Sequence, residues 1–432
     1  MTFSAFISTD RQARDAEDAI AELRHALSSD QVLRSIVEGL PPEVVDGVRR
    51  SLTTEMAERQ QHLLAYQKAR GGDFALMRQQ AGNDPGSFLI AARIVRGLSQ
   101  KDLARKLGLR EQAIQRWEAE RYRSISLLNY QKVAQMLGVR WQMADISPSD
   151  GRWPPTYDVD SSDLKKVVRH ARSHGWLDIA DASEENAIST LVRYIGDHVN
   201  RYGTPSLLRT GLNVVDHTQD WSLLSWKAQV TRRAEAEIGR TKPRYRAIDV
   251  SWLTELVKLS VYDDGPIRAR DMLLENGIVL IAEPQIPGMA VDGAAFLVDE
   301  TPVIGMTLLR DSIDNFWFTL LHEVAHIILH YRTGLSSGFF DDVASPAVDE
   351  FEKEANQFAQ NLLIRDEIWV KSPARIARTA EPIEKLASQI RIHPAILFGR
   401  IRMERNDYSI FSNKIGRGTV RKQLLESSTE VA

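Results

Sequence analysis

The chain has 432 residues, 43% of them hydrophobic, 26% charged and 7% aromatic, which excludes collagen-like and wholly disordered classes; at roughly 150 residues per domain it predicts about three domains. It has no cysteine, so disulfide scaffolds, thiolate zinc fingers, iron–sulfur clusters and a cysteine nucleophile are excluded, and any metal must be held by His, Asp or Glu. The net charge of -3 announces no nucleic-acid partner for the chain as a whole, and the polar N-terminus and the lack of a long apolar run predict a cytoplasmic protein with no membrane partner.

Residues 1–85 are expected to form an N-terminal helical region, with Leu23, Leu27, Val32, Leu33 and Ile36 at three- and four-residue spacing, as a hairpin that packs on a neighbour or dimerises. Turn residues at Gly82-Asn83-Asp84-Pro85-Gly86 introduce a basic segment, 86–147. Between Gly86 and Arg140 eleven Lys and Arg stand against four Asp and Glu, a local charge of +7. Ser99 reads as the N-cap of a helix carrying Leu103 and Leu107; Gly108 ends it, with Leu109 expected beneath the turn. A second short helix from about Arg110 buries Ile114 and Trp117 and leaves Gln112, Gln115 and Arg116 outward. Two short helices joined by a tight glycine turn suit insertion of the second into the major groove, where Gln pairs with adenine and Arg with guanine or phosphate.

Leu98-Ser99-Gln100-Lys101-Asp102-Leu103-Ala104, Ile114-Gln115-Arg116-Trp117-Glu118 and Leu137-Gly138-Val139 together resemble the XRE (lambda-repressor-like) helix-turn-helix family. The resemblance implies double-stranded DNA as a partner, Gln100 against phosphate, and Gln112, Gln115 and Arg116 facing the bases. Where the family usually has Ser or Thr at the N-cap of the reading helix, this chain has Arg110, which with Lys101 is placed for phosphate. One such motif reads only a half-site, so a homodimer on a palindromic operator is expected.

Residues 148–250 read as a linker followed by a helical middle region, with the periodic sets Leu191, Val192, Ile195, Val199 and Leu223, Leu224, Trp226, Val230. His170 and His174 lie at i, i+4 but lack an acidic third ligand, and read as an ordinary polar helix face. Residues 251–410 change character. Ser251 is an expected N-cap; that helix ends at Asp263-Asp264-Gly265, Pro266 starts the next and Gly277 closes it. Ile278 to Ala282 reads as a strand, and Ala294 to Val298 with Pro302 to Thr307 as a hairpin across Asp299-Glu300-Thr301. Helices follow, and 411–432 is expected to be a polar, frayed tail. The predicted fold class is mostly α with a C-terminal α+β domain.

The segment from Asn315 to His330 is apolar on every side, which predicts a buried helix. His322 and His326 lie about 40° apart on it, so both rings can face one ion. Glu323, one residue along, can reach a metal-polarised water as general base. His330 is about 12 Å along the axis from His322, too far to share that ion. A third ligand is sought in the acidic stretch from Asp349 to Ala359, where a helical wheel brings Glu352 nearer the apolar stripe than Glu354 without deciding between them.

His322-Glu323-Val324-Ala325-His326, followed by Glu354-Ala355-Asn356-Gln357-Phe358-Ala359, with the hairpin and Ile392-His393-Pro394-Ala395-Ile396, resembles the ImmA/IrrE metallopeptidase family. The resemblance implies a zincin-like domain with one Zn2+ on His322, His326 and Glu354 and Glu323 as catalytic base. Joined to the XRE-like segment, it implies a bacterial or phage transcriptional regulator whose zinc endopeptidase cleaves a regulatory protein such as a repressor. The alternative from another class is a non-enzymatic repressor or HigA-like antitoxin, whose metal domain senses a ligand or binds a toxin. Intact Glu323 favours the enzyme. His393 is left open between a structural contact and a site role.

Overall fold

The structure, a computed structural model, describes residues 6–82, 84–123, 125–139, 161–177, 182–202, 221–331 and 346–425. The expected linker around 147–155 lies outside them. The described residues form two compact units, one from residues 6–29 and 52–139, the other from residues 30–51 and those from 161 onward.

Three helices open the chain: α1 (Asp10–Ala26), α2 (Asp30–Ile36) and the long α3 (Pro42–Arg70). Thr9 caps α1 by accepting from the Gln12 N–H at 3.2 Å, and Ala13, Ala16, Ile20 and Leu23 turn one helical stripe inward. The region 1–85 is not one structural piece: α1 belongs to the first unit, α2 to the second, and α3 begins in the second and ends in the first.

In the first unit follow α4 (Ala75–Ala81), α5 (Pro85–Val95), α6 (Gln100–Leu107), α7 (Glu111–Ala119) and α8 (Leu127–Met136). Ser99 and Asp102 form a reciprocal capping box at the start of α6, and Gly108, in the left-handed conformation at φ 68°, turns the chain into α7. Leu109 is 40% exposed rather than tucked beneath that turn. Its N–H is spent on the Ala104 carbonyl at 2.9 Å, while the half-buried Leu107 packs on the core instead. That core joins Leu89, Ile94, Leu103, Ile114 and Val133 to Ala13 of α1, Tyr66 and Ala69 of α3 and Met77 of α4. The basic segment thus shares its interior with helices that precede it.

The second unit contains α9 (Ser161–Ser173), α10 (Glu184–Tyr202), α11 (Trp221–Thr241), α12 (Leu253–Lys258), α13 (Gly265–Glu275), α14 (Ile313–His330), α15 (Pro346–Leu363), α16 (Asp366–Lys371), α17 (Glu381–Ile390), α18 (Pro394–Glu404) and α19 (Val420–Leu425). Between α13 and α14 lie β1 (Val279–Ala282), β2 (Gly293–Val298) and β3 (Thr301–Met306), in the order β1-β3-β2. β2 and β3 form the expected antiparallel hairpin, with Phe296 opposite Val303, while β1 runs parallel to β3, with Val279 opposite Val303. The strands are buried on both faces, which is why they read as nearly continuous apolar runs.

Helix α11 covers one face of the sheet and α14 the other. On the first, Gly305 lets the Trp226 ring approach so closely that a Cβ there would meet it at 2.7 Å. The helices of the middle region share one core with the sheet, Leu191, Ile195, Leu224 and Val230 packing with Ala294, Phe296 and Val303. They are therefore part of the unit that holds the sheet. Ser251 does not cap α12, which begins after Trp252 without a side-chain cap. The expected frayed tail is packed as far as residue 425. Asp311 Oδ1 accepts from the Val420 and Arg421 N–H groups at 3.0 and 3.1 Å, Arg421 donates to the Leu308 and Leu309 carbonyls, and Val420 and Leu424 are buried.

Candidate functional site

On α14, Asn315, Thr319, His322, Glu323, His326 and His330 recur at three- and four-residue spacing and so share one side of a helix that is otherwise apolar from Asn315 onward. His322, Glu323, His326 and His330 are all below 5% exposed. Burying such groups costs several kcal/mol unless each finds a partner.

The partners come largely from α15. His322 Nε2 and His326 Nε2 lie 3.1 Å apart, and the Glu352 carboxylate stands 3.3 Å from the first and 3.2 Å from the second. Burial would push the Glu352 carboxyl up, but the two imidazoles beside it outweigh that and hold the group well below the usual carboxylate range. These three are a group able to hold a metal ion. Four donors around a tetrahedral zinc, each at about 2.0–2.1 Å, stand about 3.3 Å apart, so the observed spacings fit such an ion.

The carboxylate that reaches the two histidines is Glu352, not the Glu354 implied by the family resemblance. On α15 the inward stripe of Phe351, Ala355, Phe358 and Leu362 separates the two, which lie about 160° apart around the axis. Glu352 falls on the edge facing His322 and His326. Glu354 falls on the other edge, where Oε2 is 3.0 Å from His330 Nε2 and Oε1 accepts from Arg50 Nη2 of α3 at 2.9 Å. His330 is buried, lies against the Phe351 ring at 4.4 Å, and brings Nδ1 to 3.2 Å from His326 Nδ1. Burial and the neighbouring His326 push its pKa down to about 4, against the pull of Glu354.

Glu323 and His322 line a cleft of about 90 Å³, room for a few water molecules. Its other walls include Asp292, Gly293, Arg310 and Asn315. Arg310 pairs with Asp292 at 3.0 Å, so the rim carries both signs of charge. None of these four is evident from the sequence except through periodicity: Asn315 continues the polar stripe of α14 one turn toward its start. His393 is a structural contact, its Nδ1 accepting from the Ala395 N–H at 3.1 Å to cap α18. His170 is not on a polar face: it is buried edge-on to Trp176 and stacked on His174, and burial pushes its pKa down to about 4.

On α7 one face is buried and the other exposed. Ile114 and Trp117 are buried, while Gln112, Gln115 and Arg116 are exposed, with Lys101, Arg105, Lys106 and Arg110 also exposed nearby in sequence. Arg110 occupies the N-cap of α7 without a side-chain cap bond, which leaves its guanidinium in solvent. Gln115 Nε2 donates to Glu111 at 3.2 Å. Gln100 differs: it is half-buried and donates to Glu118 Oε2 at 2.8 Å. Glu118 in turn is locked to Arg93 by two bonds of 2.6 and 2.8 Å, and Arg93 also donates to the Ser8 and Leu98 carbonyls.

Comparison with protein families matches residues 89–142 to a helix-turn-helix family and residues 275–397 to peptidase family M78, described as the IrrE N-terminal-like domain. The second match contains β1 to β3, α14 and α15, and so every residue of the candidate metal centre. No curated protein and no solved structure matches the chain. No described helix is long and apolar enough to cross a membrane. The chain carries an XRE-type helix-turn-helix domain and a peptidase M78, IrrE N-terminal-like domain.

Proposed function

We propose that this protein is a cytoplasmic DNA-binding transcriptional regulator whose M78 domain is a zinc-dependent endopeptidase acting on a regulatory protein. The observation that carries the reading is the convergence of His322 Nε2, His326 Nε2 and Glu352 within 3.3 Å beside a cleft that Glu323 also lines. Two imidazoles and one carboxylate form a donor set that leaves the fourth position of a zinc ion open, as catalytic rather than structural sites require. Zinc, when bound, supplies a Lewis acid for the scissile carbonyl and for water.

The chain's own residues do the rest. Glu323 is a general base that takes a proton from water in the cleft and can return it to the leaving amine. Its burial, and the wall made by Gly293, exclude bulk water from that proton transfer. β2, which begins at Gly293, is an edge strand of the sheet, and addition of an extended peptide along it would carry a scissile bond past Glu323. The helix-turn-helix domain, as a homodimer, would bring this chemistry to an operator.

Glu323→Gln tests the reading, because it removes the proton acceptor and keeps the shape. Stoichiometric zinc with cleavage and derepression abolished is the expected result. Undiminished regulation by this variant would instead favour a non-enzymatic repressor or antitoxin.

A further inference from the structure

From His326, one of the three metal-facing groups, an unbroken polar line runs through three further residues: His326 Nδ1 to His330 Nδ1 at 3.2 Å, His330 Nε2 to Glu354 Oε2 at 3.0 Å, and Glu354 Oε1 to Arg50 Nη2 at 2.9 Å. We infer that His330 and Glu354 are positioning residues that fix His326 in the tautomer able to bind a metal, an inference that rests on the proposed metal site.

The donors and acceptors along this line fix where each proton sits. A neutral imidazole has one N–H and one lone pair. Arg50 can only donate, so it claims one carboxylate oxygen of Glu354. The other oxygen accepts, so the proton of His330 must sit on Nε2. That leaves His330 Nδ1 with a lone pair, which can face His326 Nδ1 only if His326 carries its proton there. The lone pair of His326 is then on Nε2, the nitrogen beside His322 Nε2 and Glu352. In the reverse arrangement the proton of His326 would sit on Nε2 and block the ion. Such outer partners orient metal-binding histidines and raise their basicity. The two candidate ligands differ here, since His322 Nδ1 is buried with no hydrogen-bond partner among the described residues.

The arrangement also explains the acidic pair on α15. Glu352 faces the ion side and Glu354 the back of His326, so a single turn supplies both a direct donor and the far end of the line. Arg50 lies outside the stretch matched to family M78, so the line reaches a helix that the family model does not include.

The test is zinc affinity in the full chain, measured by chelator competition, beside thermal unfolding of the metal-free protein. Glu354→Gln is close in shape and can donate to His330 Nε2, inverting the line. It should weaken zinc about 10–100-fold while leaving one site per chain, a cobalt(II) absorption spectrum like that of the wild type, and unchanged metal-free stability. His330→Leu should weaken zinc similarly, and Glu352→Ala should abolish stoichiometric binding. Wild-type affinity in both Glu354→Gln and His330→Leu would overturn this inference alone. A wild-type chain that binds no zinc would overturn the metal site on which it rests. Loss of the ion in Glu354→Ala with retention in Glu352→Ala would make Glu354 the ligand and overturn the positioning role.

Discussion

Gly293 lies directly against Glu323: a Cβ at position 293 would stand 3.0 Å from Glu323 Oε1 and 2.9 Å from Thr319 Cγ2. Edge strand and candidate base are therefore in contact at the one position where the strand has no side chain. Gly293→Ala must push the carboxylate aside by a few tenths of an ångström. Since a 1 Å misplacement costs about 100-fold, about a tenfold fall in peptidase turnover is expected, with zinc content unchanged. Metal analysis with single-turnover cleavage measures both, and full activity would show that the approach has no bearing on Glu323.

The buried Arg93–Glu118 pair is the second point of leverage. Glu118→Ala would leave Arg93 without a counter-charge at 3% exposure and Gln100 without its acceptor. Breaking such a pair from one side costs about 3–5 kcal/mol. Urea unfolding followed by the fluorescence of Trp117 should show that loss, and zinc affinity should not change. A stability change below about 1 kcal/mol would mean that Arg93 readily finds other partners.

DNA binding should separate reading from anchoring residues. Gln112→Ala is expected to relax preference at one base position by roughly 1–3 kcal/mol. Arg110→Ala should weaken all sequences alike and lower the salt slope by about 1. Binding titrations at several salt concentrations, with an operator fragment beside a scrambled one, distinguish the two. Equal effects of both substitutions on both fragments would remove Gln112 from base reading.

Stability should depend on His198. It is 8% exposed, its Nε2 has no hydrogen-bond partner among the described residues, and burial followed by the charges of Lys227 and Arg201 pushes its pKa down to about 3. Below pH 6.5 the unfolded chain binds a proton that the folded residue refuses, so the folded state loses stability as pH falls, down to about pH 3. By pH 5 the loss is about 2 kcal/mol. Unfolding curves at pH 7 and pH 5 should show a smaller difference in His198→Phe than in the wild type. Equal pH dependence in the two would exclude His198 as its source.

What the sequence made legible was local. Ser99, Gly108 and the buried pair Ile114 and Trp117 marked the helix-turn-helix because caps, a left-handed turn and a helical stripe are short-range features. His322 and His326 declared themselves by a spacing of four on an apolar helix. The third donor did not, because Glu352 and Glu354 both border the inward stripe of α15, and the choice depends on where α14 lies against it. The approach of Gly293 to Glu323, and the pairing of Glu354 with Arg50 from 304 residues away, are likewise tertiary facts. Periodicity marked Leu23 of α1 and Leu33 of α2 as inward positions, both buried, but a buried position does not name its partner, and so the division of these helices between two units was not readable.

That division constrains how the protein can be inherited or dissected. Ser51 and Leu52 are consecutive residues of α3, yet the boundary between the units falls between them. Each unit is assembled from two stretches of chain that interleave, so no single recombination point transfers either one whole. A crossover just after the helix-turn-helix segment would carry Arg50 away from Glu354. A cut at the boundary itself would leave up to four unsatisfied carbonyls on one side and four N–H groups on the other. Moving either unit whole would therefore take at least two crossovers, where a domain made of one terminal stretch needs one.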